Sequence, residues 1–190
     1  MNVDEARKAK GKGMVAAAEG EAARVGRDLL NAGGNAIDAA VGVGFALAVT
    51  YPAAGNLGGG GFLVASVGRE NSKRTSVALD FRERAPFAAT ETMYSDADDR
   101  GQKEASLTGH LAAGVPGSVD GLLQALQAWG SLPREQVIAP AIRLARDGFV
   151  MTDRTHRMLN STKTRERMQL YRASSELFYP EGSAFPAGTI

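Results

Sequence analysis

The stretch that most constrains this chain is AIDAAVGVGFALAV, residues 36–49. Fourteen residues carry a single charge, Asp38, and the apolar positions run all the way round a helix rather than along one stripe. Such a helix must be covered on every side by the rest of the protein. It is too short to span a membrane. Gly42, Gly44 and the alanines on it let neighbouring elements approach closely. The chain is therefore expected to build itself around residues 36–49 as a central buried helix, with Asn35 as its N-cap.

The flanking pattern supplies neighbours. In GEAARVGRDLLNAGGN, residues 20–35, Ala22, Val25, Leu29 and Leu30 recur at helical spacing. Gly33 and Gly34 end that helix with a left-handed stop. Before it, residues 13–18 (GMVAAA) read as a short strand, and residues 1–12 read as a polar leader without the apolar core of a signal peptide. After the central helix come four glycines, Gly58 to Gly61, and then FLVASV and TSVALDF, two strands joined by the polar turn GRENSKR. Residues 83–109 are loop-rich, with an acidic, exposed middle at 96–99. Three helices close the chain. One starts at Ser118 as N-cap and runs to about Trp129. One follows Pro133, with an apolar stripe of Val137, Ile138, Ala141, Ile142 and Ala145, a break at Pro140 and a stop at Gly148. The last, capped by Thr152 or Asp153, runs to about Leu170. The order is mixed α+β in one domain, residues 13–190.

Composition excludes several chemistries. There are 22 basic and 21 acidic residues, a net charge of +1, so no basic excess marks a nucleic-acid binder. The cluster TKTRERMQLYR, residues 162–172, reads as a solvated helix face. No cysteine is present, which removes disulfides, thiol catalysis and thiolate metal sites from this chain. His110 and His156 have no second ligand at metal-binding spacing, and no metal or cofactor is expected.

The glycine run does not bind phosphate on this pattern. Gly61 is followed by Phe62 rather than by Lys and Ser or Thr, and the run precedes a strand, whereas an anion-cradling loop precedes a helix. The dinucleotide pattern fails at residues 42–47, which lie inside the central helix. VPGSVDG places Pro116 where a serine hydrolase elbow needs glycine. What remains is LDFRERAP, residues 79–86. It puts Arg82 or Arg84 at the end of an apolar strand, where a guanidinium can take a carboxylate through two parallel hydrogen bonds. An ion pair with Asp80 or Glu83 explains the same arginines equally well.

Several segments together resemble one family. GMVAAAEGEAARVGRDLLNAGGNAIDAAVGVGFALAVTYPAAGNLGGGGFLV is similar to the N-terminal segment of the γ-glutamyltranspeptidases, and ALDFRERAP resembles their substrate-arginine motif. TGHLAAGVPGSVDGLLQALQAWG and VIAPAIRLARDGF continue the resemblance in the same order, so that it covers residues 13–149 well. The family implies an N-terminal-nucleophile hydrolase fold, an αββα sandwich, truncated here before the catalytic subunit. It implies a precursor that cuts itself in two, and a threonine at the new N-terminus whose hydroxyl attacks while its free amine acts as base. It implies a γ-glutamyl substrate such as glutathione. Arg82 matches the arginine that grips the α-carboxylate of the γ-glutamyl group. Arg84 falls where the family usually has an apolar residue and receives no role. The glycine run matches a turn beside the cleft, serving packing or substrate contact.

None of the threonines here stands in the context of the nucleophile, so no catalytic residue is assigned. The chain is expected to be the N-terminal part of the large subunit, inactive until the C-terminal, small-subunit portion completes it. A non-catalytic remnant of the same fold and a related acylase or poly-γ-glutamate-processing enzyme are the alternatives. The compartment stays open, because the family is commonly periplasmic or extracellular and no signal peptide is seen here.

Overall fold

Helix α1 (Gly20–Asn31) buries Ala22, Val25, Gly26 and Leu29 and then stops in a Schellman motif. The Gly33 N–H donates to the Leu30 carbonyl at 3.1 Å and the Gly34 N–H to the Leu29 carbonyl at 3.0 Å, with Gly33 at φ +92°. A side chain other than glycine is strained in that left-handed conformation. One residue later the chain starts again. Asn35 caps α2 (Ala36–Thr50) by accepting from the Ile37 and Asp38 N–H groups, and the Asp38 carboxylate accepts the Asn35 N–H in return. This reciprocal box uses two of the backbone donors that a helix start leaves unpaired. The computed structural model describes residues 13–68, 74–102 and 104–190.

As its sequence requires, α2 is central. It lies against α1 on one side and against α4 (Ser118–Trp129) and α5 (Arg134–Asp147) on others. Val41 and Ala46 are fully buried, and Ile37 and Phe45 nearly so. The core joins them to Ala22, Val25 and Leu29 of α1, Ala125 and Leu126 of α4, and Val137 and Ala141 of α5. Close approach depends on the small residues, since a Cβ at Gly42 would overlap the Leu29 side chain.

The hairpin β1 (Phe62–Val67) and β2 (Thr75–Asp80) is antiparallel, in register from Phe62 opposite Asp80 to Val67 opposite Thr75. Strand alternation sends Leu63, Ala65, Val67 and Leu79 onto the core. Phe62 and Val64 face the other way and are 65% and 81% exposed. The turn residues 69–73 and the leader 1–12 lie outside the described residues, so those two expectations have no structural counterpart here.

The remaining elements are a short helix α3 (Met93–Asp99) and a 3₁₀ turn (His110–Ala112) in the connection, and then α6 (Asp153–Leu159), α7 (Thr162–Gln169) and α8 (Arg172–Phe178). The last three gather a separate cluster around Leu159, Tyr179 and Ala184, where the Tyr179 hydroxyl donates to the Leu159 carbonyl at 2.6 Å.

Five expectations are corrected. Residues 13–17 form no strand, because no described segment offers them a ladder partner. Ser118 is the first residue of α4 rather than its cap. Gly117 holds the cap position, and the Ser118 N–H is spent on the Gly59 carbonyl at 2.9 Å. Pro140 does not break α5, which continues to Asp147, since burial of Val137 and Ala141 against α2 offsets one missing bond. On the same helix Ile142 and Ala145 are exposed, while Leu144 packs on the core. With 3.6 residues per turn, 137, 141 and 144 share the inward face and 142 and 145 rotate off it. Finally, the single helix expected up to Leu170 is split. Ser161 turns extended and caps α7 through Thr164, as Thr152 caps α6 through Thr155.

Candidate functional site

The strand that ends at Asp80 does not stop there as a free loop. Gly61 and Phe81 exchange both backbone hydrogen bonds, at 3.3 and 3.0 Å, and carry the ladder one pair further. Two residues past Arg82, Arg84 pairs with Val115 in an isolated antiparallel bridge. The arm 81–84 is thus tied at both ends.

Glycines clamp it from two sides. A Cβ at Gly60 would come within 2.6 Å of the Glu83 nitrogen and the Phe81 oxygen and 2.7 Å of the Arg82 Cα. On the other side, a Cβ at Gly117 would collide with the Phe81 carbonyl, and one at Gly121 would collide with the Phe81 ring. The Gly59 carbonyl accepts from both Gly117 and Ser118, at 2.8 and 2.9 Å, and so joins the two glycine segments to each other. Three backbones meet here at a spacing no side chain permits. The run Gly58 to Gly61 is divided in its work: Gly60 and Gly61 meet the arm, Gly59 turns the loop beside Asn56, and Gly58 touches nothing. Packing, one of the two open readings, is what these contacts are.

On this clamped arm Arg82 is exposed. Its N–H donates to the Asp80 carboxylate at 3.0 Å, so Asp80 fixes the backbone of Arg82 rather than its charge. The guanidinium carbon lies 5.8 Å from the centre of the Phe62 ring. That places it within range of a cation–π attraction. The ion pairs among the described residues include neither Arg82 nor Arg84. The ion-pair explanation with Asp80 or Glu83 therefore fails on geometry. Both arginines line an open cleft of about 500 Å³ whose other wall is Val115, Pro116, Gly117, Asp120, Gly121 and Gln124. Asp120 accepts from Gln124 at 2.6 Å.

A second polar centre, which the sequence did not flag as one, lies under the helix ends. Asp38 is fully buried. Its carboxylate accepts the Asn35, Ser131 and Leu132 N–H groups and the Ser131 hydroxyl, at 2.6 to 3.1 Å. Burial pushes its pKa up, but the hydrogen bonds from Ser131, Asn35 and Leu132 together outweigh burial and hold it below the ordinary 3.8. Asn35 adds a bond from its amide to the Trp129 carbonyl at 2.7 Å. The sequence signal for this centre was the pair Asn35–Asp38 at capping-box spacing. Its partners, ninety-three residues away, carried none.

His156 donates from Nδ1 to the Phe185 carbonyl at 2.8 Å, and His110 is exposed. Among the described residues no group of three His, Asp or Glu side chains could hold a metal ion. Among them, too, no helix is long and apolar enough to cross a membrane.

A two-stranded sheet that packs helices on one face, leaves the other face bare and lifts a cationic arm from its edge is half of a layered structure. Solved structures supply the class. The chain superposes on γ-glutamyltranspeptidase from Helicobacter pylori with a TM-score of 0.82 at 42% identity, covering 93% of this chain and 49% of that one. This is the N-terminal-nucleophile hydrolase fold. A family model described as gamma-glutamyltranspeptidase matches residues 22–190, past the point where the motif resemblance thinned. The chain belongs to the γ-glutamyltranspeptidase family. It is 49% identical over 177 residues to a glutathione hydrolase proenzyme of Pseudomonas sp. and 45% identical over 179 residues to that of Escherichia coli. Both alignments cover 93% of this chain, which spans about 30% of the length of these two relatives.

Proposed function

We propose that this chain supplies the carboxylate-gripping wall of an enzyme that transfers or hydrolyses the γ-glutamyl group of glutathione and related amides. The observation that carries the reading is Arg82: an exposed guanidinium, without an acidic partner among the described residues, on an arm immobilised by glycine contacts on two sides. A cation held so firmly and left uncompensated suits a ligand carboxylate. Preorganisation of this kind lowers the entropy lost on binding.

In this reading the α-carboxylate of the γ-glutamyl group docks on Arg82. The γ-carbonyl then faces a threonine from the C-terminal portion that the family implies. The threonine hydroxyl attacks that carbonyl, its own free amine takes the proton, and the amine of the leaving residue departs with a proton returned to it. The acyl-threonine is resolved by water or by an acceptor amine. This chain by itself holds substrate and performs no step of that exchange. The exposed outer face of the hairpin, with Phe62 and Val64, is where the completing portion would pack.

The test is kinetic. Arg82→Ala in the completed enzyme should raise KM for a γ-glutamyl amide by the equivalent of about 2–5 kcal/mol. An unchanged KM rejects the assignment. Residues 13–190 alone should release no product from a γ-glutamyl anilide, and measurable turnover would show that catalysis resides within them.

A further inference from the structure

Arg84 is the second guanidinium of the same cleft, and the reading above leaves it idle. Its root is fixed: the Arg84 N–H donates to the Val115 carbonyl at 3.2 Å, and the Val115 N–H returns a bond to the Arg84 carbonyl at 2.8 Å. Its side chain is exposed and pairs with no carboxylate of the described residues. Two uncompensated cations two residues apart repel each other, so a local acid would ordinarily sit between them. The acids of this cleft are otherwise disposed. Asp80 is engaged by the Arg82 N–H and Asp120 by Gln124. Glu83 lies with its stem against Gly114, whose Cβ would stand 3.0 Å from the Glu83 Cβ.

Alternate residues of an extended segment are ~6.6 Å apart. That is too far for two arginines to share one carboxylate with good geometry, and it suits two carboxylates of one elongated ligand. We propose that Arg84 binds the free carboxylate of the residue joined to the γ-glutamyl group. The cleft then prefers γ-glutamyl dipeptides with a charged C-terminus over the same compounds with that terminus amidated. The inference rests on Arg82 holding the α-carboxylate.

The test uses the 190-residue chain, labelled with ¹⁵N at its arginines, titrated with γ-glutamylalanine and with γ-glutamylalaninamide. The acid should bind about tenfold tighter than the amide, the loss of one charge-assisted pair in a solvated cleft. The Nε–Hε signal of Arg84 should move with the acid and stay still with the amide. Arg84→Gln should erase the preference while leaving amide binding unchanged, and Arg84→Lys should keep part of it. Arg82→Gln should weaken both ligands alike. Thermal melts of each variant establish that it is folded. A preference that survives Arg84→Gln, or no preference in the parent chain, overturns this inference and leaves the Arg82 reading standing. Binding that is indifferent to Arg82→Gln overturns the reading beneath it, and failure of both compounds to bind the parent chain overturns both.

Discussion

Asp38 and Arg82 are both charged, both sit where a regular element begins or ends, and both are fixed by backbone contacts, yet they are treated in opposite ways. Asp38 is fully buried and its carboxylate is saturated by four donors from two distant segments. Arg82 is exposed, and only its backbone is held; its guanidinium meets an aromatic ring and no acid among the described residues. The saturated charge ties helix α2 to the turn between α4 and α5 and has nothing left to offer a ligand. The other has been given a rigid mount and an empty hand. Completeness of hydrogen bonding separates the structural charge from the functional one, where residue type and sequence context do not.

The comparison can be broken most forcefully at Asp38. Asp38→Ala leaves four donors without their acceptor, and should destabilise the chain by about 3 kcal/mol or more in urea unfolding. A loss below about 1 kcal/mol would mean water replaces the carboxylate readily and the centre is not structural. Next in size is the clamp. Gly60→Ala drives a methyl into the backbone of residues 81–83 and should lower stability by about 1–3 kcal/mol. In the completed enzyme it should also raise KM for a γ-glutamyl amide, because the mount of Arg82 shifts. Stability loss with an unchanged KM would separate packing from positioning.

The pH dependence of Asp38 sharpens the contrast further. Its carboxyl is held below the ordinary 3.8, so the unfolded chain takes up the proton first as pH falls. The stability it contributes is whole at neutral pH and is lost as pH drops below about 4 and through the folded value. Asp38→Asn should flatten that acid limb in unfolding curves measured across pH, and a limb unaltered by the substitution would assign it to other carboxylates. The smallest effect belongs to Arg82 itself. Since its side chain is exposed and unpaired among the described residues, Arg82→Ala in this chain should shift stability by less than about 0.5 kcal/mol. A larger loss would turn the empty hand into a structural contact.

Much of this was legible in the sequence because it depends on neighbours along the chain. The Gly33–Gly34 stop, the Asn35 cap, the all-round apolar helix and the alternating strands are local rules of helix ends and side-chain period. Errors fell where a local rule met a distant competitor. Ser118 has the chemistry of a cap, but the Gly59 carbonyl claims its backbone N–H. Pro140 has the chemistry of a break, but the burial of its helix against α2 prevails. The split at Ser161 was written in its own side chain and was overlooked because the polar pattern ran on around it.

The site divides in the same way. Sequence alone put Arg82 and Arg84 at a strand end, marked glycine as unusually dense beside them, and carried a family resemblance that fixed which arginine to follow. It could not say that Asp80 would spend itself on a backbone N–H, that Gly60, Gly117 and Gly121 would close on one arm from two sides, or that Asp38 would find its partners ninety-three residues on. Local propensity is a property of a few consecutive residues. Whether a charge is satisfied or left open is a property of whatever the fold brings within hydrogen-bond distance, and only the tertiary structure decides that.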